Sequence, residues 1–127
     1  MDRRRAFTGT PWEPKVGYCR ALRTGAQVFV SGCAPVGATD QGPYGQARRC
    51  IEILEKSLKE LGAELRHVVR TRMFVTDMSR WEEYGLAHGA AFGETMPATS
   101  MVGIAALVDP RMLIEVEAVA YKPGAGG

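Results

Sequence analysis

Two carboxylates two residues apart stand out in the stretch MLIEVEAVAY, Met112 to Tyr121. Period-two geometry places Leu113, Glu115, Glu117, Val119 and Tyr121 on one face of a strand, with Ile114, Val116, Ala118 and Ala120 on the other. Either both glutamates point to solvent, or one lies in a crevice at a subunit boundary. There, desolvation would raise its pKa and equip it to carry protons. Cations are available to such a site: Arg70 and Arg72 share a face and could pair with Glu115 or Glu117, and Arg20 shares a face with Tyr18. Cys33 closes a strand, but a thiol nucleophile needs an activating base. His67 and His88 are the only histidines, and nothing places either beside Cys33, so a structural thiol is the better reading. Cys50 falls on a helix stripe, and His88 lies on the apolar side of a second helix. No His, Cys or Asp cluster has metal-ligand spacing, and no phosphate-loop pattern occurs. No metal or cofactor is expected.

The elements that must position these residues form one domain spanning residues 1–127, with an irregular segment at 1–15 and a flexible tail at 122–127. A hairpin is expected over Tyr18–Arg23 and Gln27–Gly32, turning at Thr24-Gly25. A Pro/Gly loop covers 34–43. YGQARRCIEILEKSLKELGA is a helix whose stripe is Ala47, Cys50, Ile51, Leu54, Leu58 and Leu61. Pro43 sits near its start and Gly62 is placed to stop it. HVVRTRMFVTD is a strand. Ser79 and Glu82 have the form of a capping box for a second helix, which aligns Trp81, Tyr84, His88, Ala91 and Phe92. ATSMVGIAAL and MLIEVEAVAY are strands joined by a turn at Asp109-Pro110. The order β-β-α-β-α-β-β puts two one-sided helices on one face of a sheet. The other face is too apolar to be left bare, which implies a homo-oligomer with that face turned inward.

Composition narrows the function. A net charge of +2 is too small to argue for a nucleic-acid or membrane-surface protein. No apolar run approaches the roughly 18 residues of a membrane span, and MDRRRAF lacks the apolar stretch of a signal peptide. Three cysteines without metal spacing fit a reducing cytoplasm.

Several motifs, in order, resemble the RidA/YjgF family of reactive-intermediate deaminases. They are GY at 17–18, VFVSG at 28–32, QARRCIEILEKSLKELGA at 46–63, VVRTRMFVTDM at 68–78, PATS at 97–100 and IEVEAVA at 114–120. The resemblance implies a chorismate-mutase-like α+β fold and a homotrimer. Its sheets pack inward as a barrel with the helices outside, and small-molecule clefts lie between subunits. The implied reaction is hydrolysis of the C=N bond of an imine or enamine. The water-handling glutamate falls on Glu115 and a substrate-binding tyrosine on Tyr18. Ser31, Gly32 and Cys33 fall on the pocket-lining strand end. Glu117 has no role in this scheme. The family's carboxylate-gripping arginine is replaced by Thr99, and an asparagine frequent among deaminases by Gly85. A threonine cannot form a bidentate charged contact, so an altered substrate range is expected. Arg20 either supplies a replacement cation or stands at a rim. The competing expectations are a non-catalytic metabolite- or protein-binding trimer and, less favoured, a ribonuclease.

Overall fold

The computed structural model describes residues 2–124. The last three positions of the tail read as flexible lie outside the described residues. The elements are β1 (Arg3–Ala6), α1 (Trp12–Val16), β2 (Ala21–Thr24), β3 (Gln27–Cys33), α2 (Pro43–Glu60), β4 (Val68–Val75), α3 (Trp81–Phe92), β5 (Ala98–Gly103) and β6 (Ile114–Tyr121). The fold is α+β: one six-stranded sheet in the order β1-β2-β3-β6-β4-β5, with α2 and α3 packed on one face. Only β4 and β5 run parallel, joined through α3; the other pairs are antiparallel.

The α2 stripe is buried as its spacing requires, together with Val28, Val30, Met73, Val75, Ile114, Val116, Ala118 and Ala120 from the covered face of the sheet. Gly62, at φ +79°, turns the chain out of α2. On the opposite face stand Phe29, Phe74, Val102, Val119 and Tyr121. Phe29 is 42% exposed and Tyr121 53%, so among the described residues no element covers that face. Glu115 and Glu117 lie on it too, opposite Phe74 and Arg72 on β4.

Three expectations need correction. Residues 1–15 are not irregular. Arg3–Ala6 extends the hairpin as an edge strand, pairing Arg4 with Arg23 and Ala6 with Ala21. The helix α1 follows, braced by Glu13, which accepts from Thr8 N at 3.0 Å, Thr8 Oγ1 at 2.7 Å and Gly9 N at 3.0 Å. Strand β2 begins at Ala21 rather than Tyr18, because residues 18–20 bend around α1's exit at Gly17, φ +89°. The Ser79–Glu82 capping box does not form. The Asp77 carboxylate accepts from Ser79 N at 3.1 Å and Ser79 Oγ at 2.6 Å, an Asx-type turn that outcompetes the serine as a cap. A 3₁₀ turn over Met78–Arg80 results, α3 starts at Trp81, and Trp81 is exposed while Tyr84, Ala87 and Phe92 are buried.

The end of α2 is closed by a buried arginine. Arg23, 3% exposed, donates to Leu61 O at 2.7 Å, Gly25 O at 3.0 Å and Lys122 O at 2.8 Å. It thereby satisfies carbonyls on the helix end, the hairpin turn and the chain leaving β6. Replacing it with methionine, Arg23→Met, keeps the apolar stem and strips these acceptors. The expected cost is about 2–4 kcal/mol, read as a lower urea midpoint at unchanged slope.

Candidate functional site

The site is built on an irregularity between two neighbouring strands. Along β3 and β6, Val30 faces Ala118 and Cys33 faces Val116, so β3 carries one extra residue. Such a bulge bends its strand and re-aims side chains. Ser31 and Gly32 occupy it. Ser31 N donates to Arg20 O at 2.9 Å, and Ser31 Oγ donates to Cys19 O at 2.7 Å. These bonds fasten the bent segment 18–20 beside the bulge.

Glu115 leans directly onto Gly32. A Cβ built on Gly32 would lie 2.7 Å from Glu115 Cδ and 3.0 Å from Cγ, so a side chain at position 32 would push the carboxylate out of its place. Gln46 sets where β6 begins. Fully buried on α2, it accepts from Leu113 N at 2.8 Å and donates to Arg111 O at 3.0 Å. The Glu115 carboxylate is half-buried, and among the described residues no hydrogen bond or ion pair holds it. Burial pushes its pKa above the ordinary 4.5, with the Arg20 charge opposing and Glu117 adding to the rise. Glu117 itself is neutralised by Arg72, Nη1 to Oε2 at 2.8 Å. Arg72 therefore does not pair with Glu115.

Arg20 lies on the other side of Gly32. Its Nη1 donates to Gly32 O and approaches Cys33 Sγ at 3.7 Å, and its guanidinium stands 5.6 Å from the Tyr18 ring centroid. Tyr18, Arg20, Gly32 and Glu115 line one groove of about 1270 Å³. Its walls come from Phe7, Trp12 and Val16, from the outer side of α2 at Ile53 and Lys56, and from Val108 in the loop before β6.

The structure thus brings Tyr18, Arg20, Gly32 and Glu115 together, with Ser31 behind them. Cys33 is fully buried, and its thiol pKa is raised by burial despite the nearby Arg20. It reaches the groove only through its neighbour's backbone. Thr99 does not line this groove. It is exposed on the edge strand β5, its Oγ1 2.8 Å from Thr71 Oγ1, which in turn lies 2.8 Å from His88 Nε2. Gly85 on α3 leaves open space where a side chain would stand. No group of three or more His, Cys, Asp or Glu side chains able to hold a metal occurs among the described residues. The N-terminal wall escaped sequence reasoning. Its one signal was Glu13 following Thr8-Gly9, whose amides and hydroxyl a single carboxylate can collect.

The arrangement is a carboxylate with little holding it ionised, set against a cation in an accessible groove. That suits proton exchange with a small polar molecule. Comparisons with known proteins show what the chain is similar to. The family model described as endoribonuclease L-PSP matches residues 9–122. A RutC family protein of Pyrococcus abyssi is 32% identical, with 91% of this chain and 94% of that protein covered. The 2-iminobutanoate/2-iminopropanoate deaminase of Salmonella typhimurium is 30% identical, covering 83% and 87%. Among solved structures, a Mycobacterium tuberculosis member of the YjgF/YER057c/UK114 family superposes with a TM-score of 0.90 at 43% identity, covering 94% of this chain and 99% of that one.

The raised pKa of Glu115 has a stability consequence. A carboxyl whose folded pKa exceeds its unfolded value favours folding below the unfolded value, and that contribution is lost as pH rises through the folded one. Glu115→Gln carries no such loss. Its melting temperature is expected to exceed that of the wild type at pH 7, and the two should converge below about pH 4.5. Thermal scans across this range check it; a variant less stable at pH 7 contradicts it.

Proposed function

The chain belongs to the endoribonuclease L-PSP (YjgF/RidA) family and has its chorismate-mutase-like α+β fold; on that premise we propose that it hydrolyses the C=N bond of a reactive imine or enamine. The observation that carries the reading is the half-buried, unbonded Glu115 carboxylate facing a groove beside Arg20. An enamine first tautomerises to the imine, R₂C=NH. Water adds to the imine carbon while Glu115 takes its proton and passes it to the nitrogen, giving the carbinolamine R₂C(OH)NH₂. As its C–N bond breaks, Glu115 carries the hydroxyl proton to the nitrogen, and ammonia leaves with the carboxylate regenerated. The balance is R₂C=NH + H₂O → R₂C=O + NH₃, with no oxidant or cofactor. For a substrate such as the 2-iminobutanoate named for the Salmonella relative, the product is 2-oxobutanoate. Tyr18 and the Ser31–Gly32–Cys33 backbone hold the ligand.

The working unit in this proposal is a homotrimer whose clefts lie between subunits. Supporting it is the apolar sheet face, carrying Phe29, Val119 and Tyr121, that no element covers among the described residues. Thr99 stands outside its own chain's groove and contributes to a cleft only if a neighbouring copy carries it there. Three free thiols fit a cytoplasmic setting, and among the described residues no helix is long and apolar enough to cross a membrane. RNA cleavage is the weaker reading. Glu52, Glu60, Asp109 and Glu115 line the groove against Arg20, Arg49 and Lys56, which leaves it without the basic excess that a polyanion needs.

Two measurements test the proposal. Ammonia release from a panel of freshly generated imines should fall at least about 100-fold in Glu115→Gln, the usual scale for a lost acid–base group. Equal rates in the two proteins remove Glu115 from the chemistry, and no release above the uncatalysed rate leaves a binding trimer as the function. Sedimentation at micromolar concentration should give about three times the chain mass of 13.8 kDa; a single-chain mass removes the shared cleft.

A further inference from the structure

No apolar side chain of α1 is buried; the one buried residue of this helix is a glutamate, Glu13. Short helices are ordinarily held by burying an apolar face. Here the hold is polar. The Glu13 carboxylate collects Thr8 N, Thr8 Oγ1 and Gly9 N, and its main-chain carbonyl accepts from Gly17 N at 2.9 Å and Tyr18 N at 3.0 Å. One residue thus ties both ends of the segment 8–18. The large apolar side chains of this stretch are left unused by the chain's own packing. Phe7 and Val16 are exposed, and Trp12 is 60% exposed, although tryptophan is highly buried on average. The Lys15 ammonium, 5.7 Å from the Trp12 ring, restrains the indole. Phe7, Trp12 and Val16 all line the groove that holds Tyr18 and Glu115, with Val108 beside them and Glu52, Lys56 and Glu60 of α2 supplying polar walls. Clustered exposed apolar side chains mark a place where something binds. At about 1270 Å³ the groove also exceeds the roughly 300–1,000 Å³ usual for a small-molecule site.

We propose that Phe7, Trp12 and Val16 form a specificity wall that receives a large apolar substituent of the ligand, best an aromatic ring, and that Glu13 is the positioning residue that holds this wall. The inference rests on the proposed small-molecule function and names the part of the substrate left open there, the group carried on the imine carbon. The wall and Glu115 belong to one groove. A ligand whose imine carbon meets Glu115 therefore has its substituent to place along the groove, and the wall is the apolar surface available. Moving that substituent out of water is favourable in proportion to its apolar area, so a benzyl group gains far more than an ethyl group. A ring gains further by packing on the indole.

Calorimetric titration of the full-length protein with two ketones that share their reacting end, 2-oxobutanoate and phenylpyruvate, reads the wall without catalysis. The wild type should bind phenylpyruvate at least about tenfold more tightly. Trp12→Ala should lose most of that preference. Trp81→Phe, which alters an exposed indole outside the groove, should keep it. Glu13→Gln retains the wall side chains but sets an amide NH₂ against the donors of Thr8 and Gly9; the affinity ratio should fall toward one, and Glu13→Asp should restore part of it. General loss of stability would weaken both ligands together, so the ratio separates positioning from folding. Equal affinities in the wild type overturn the wall alone, as does a preference that survives Trp12→Ala. A preference that survives Glu13→Gln overturns the role given to Glu13. Absence of binding by either ketone overturns the wall and the small-molecule reading together. A fall in sedimenting mass in Trp12→Ala makes the wall a contact between copies and overturns its assignment to a ligand.

Discussion

The contact between the Glu115 carboxyl and the Gly32 backbone is the constraint around which this molecule is arranged. In the position seen here it rests on a residue without a side chain, held at a bulge in the strand next to β6. The bulge needs the bent segment 18–20, whose Arg20 carbonyl takes up the Ser31 amide. That segment needs α1 and its exit at Gly17, and α1 is braced by Glu13. On the other side, Gln46 places β6 on α2. A carboxylate pressed against backbone loses hydration, and here it gains no bond in exchange among the described residues. The protein thus holds an acid in an environment that disfavours its charge, which is the usual physical route to a proton carrier near neutral pH.

Most of the fold could be read from periodicity, and the reason is visible in the core. The α2 stripe and the alternation in β3, β4 and β6 are set by burial on one face only, the condition under which pattern determines register. The misses share a cause. Edge strand β1 has a single buried side chain, Ala6, so no alternation marks it. The turn before α3 was decided by competition between two side-chain caps, Asp77 and Ser79, which spacing alone cannot resolve. The site was partly legible. Resemblance put Tyr18, Gly32 and Glu115 together, and periodicity put Arg20 with Tyr18. The neutralisation of Glu117 by Arg72 was one of several pairings left open until the register of β4 against β6 was known.

Position 99 links the sheet edge to the helix layer. Its hydroxyl joins Thr71 and, through it, His88, linking β5 and β4 to α3. His88 stacks on Phe92 with centroids 4.6 Å apart, and burial lowers its pKa, so it serves as a neutral hydrogen-bonding partner. Thr99 itself stays exposed on the edge strand, and Arg20 is the nearly buried guanidinium of the groove.

The strand order also governs how this chain must be made. Strand β6 lies between β3 and β4 yet follows every other strand in the chain. While the polypeptide emerges from the ribosome, β3 and β4 therefore each present one open hydrogen-bonding edge, and Val28, Val30, Met73 and Val75 are paired on one side only until the final segment arrives. Nascent chains with such unmet edges are prone to pair with each other. The insertion of one late central strand is thus both the closing step of folding and the moment at which the acid of the groove first comes into existence.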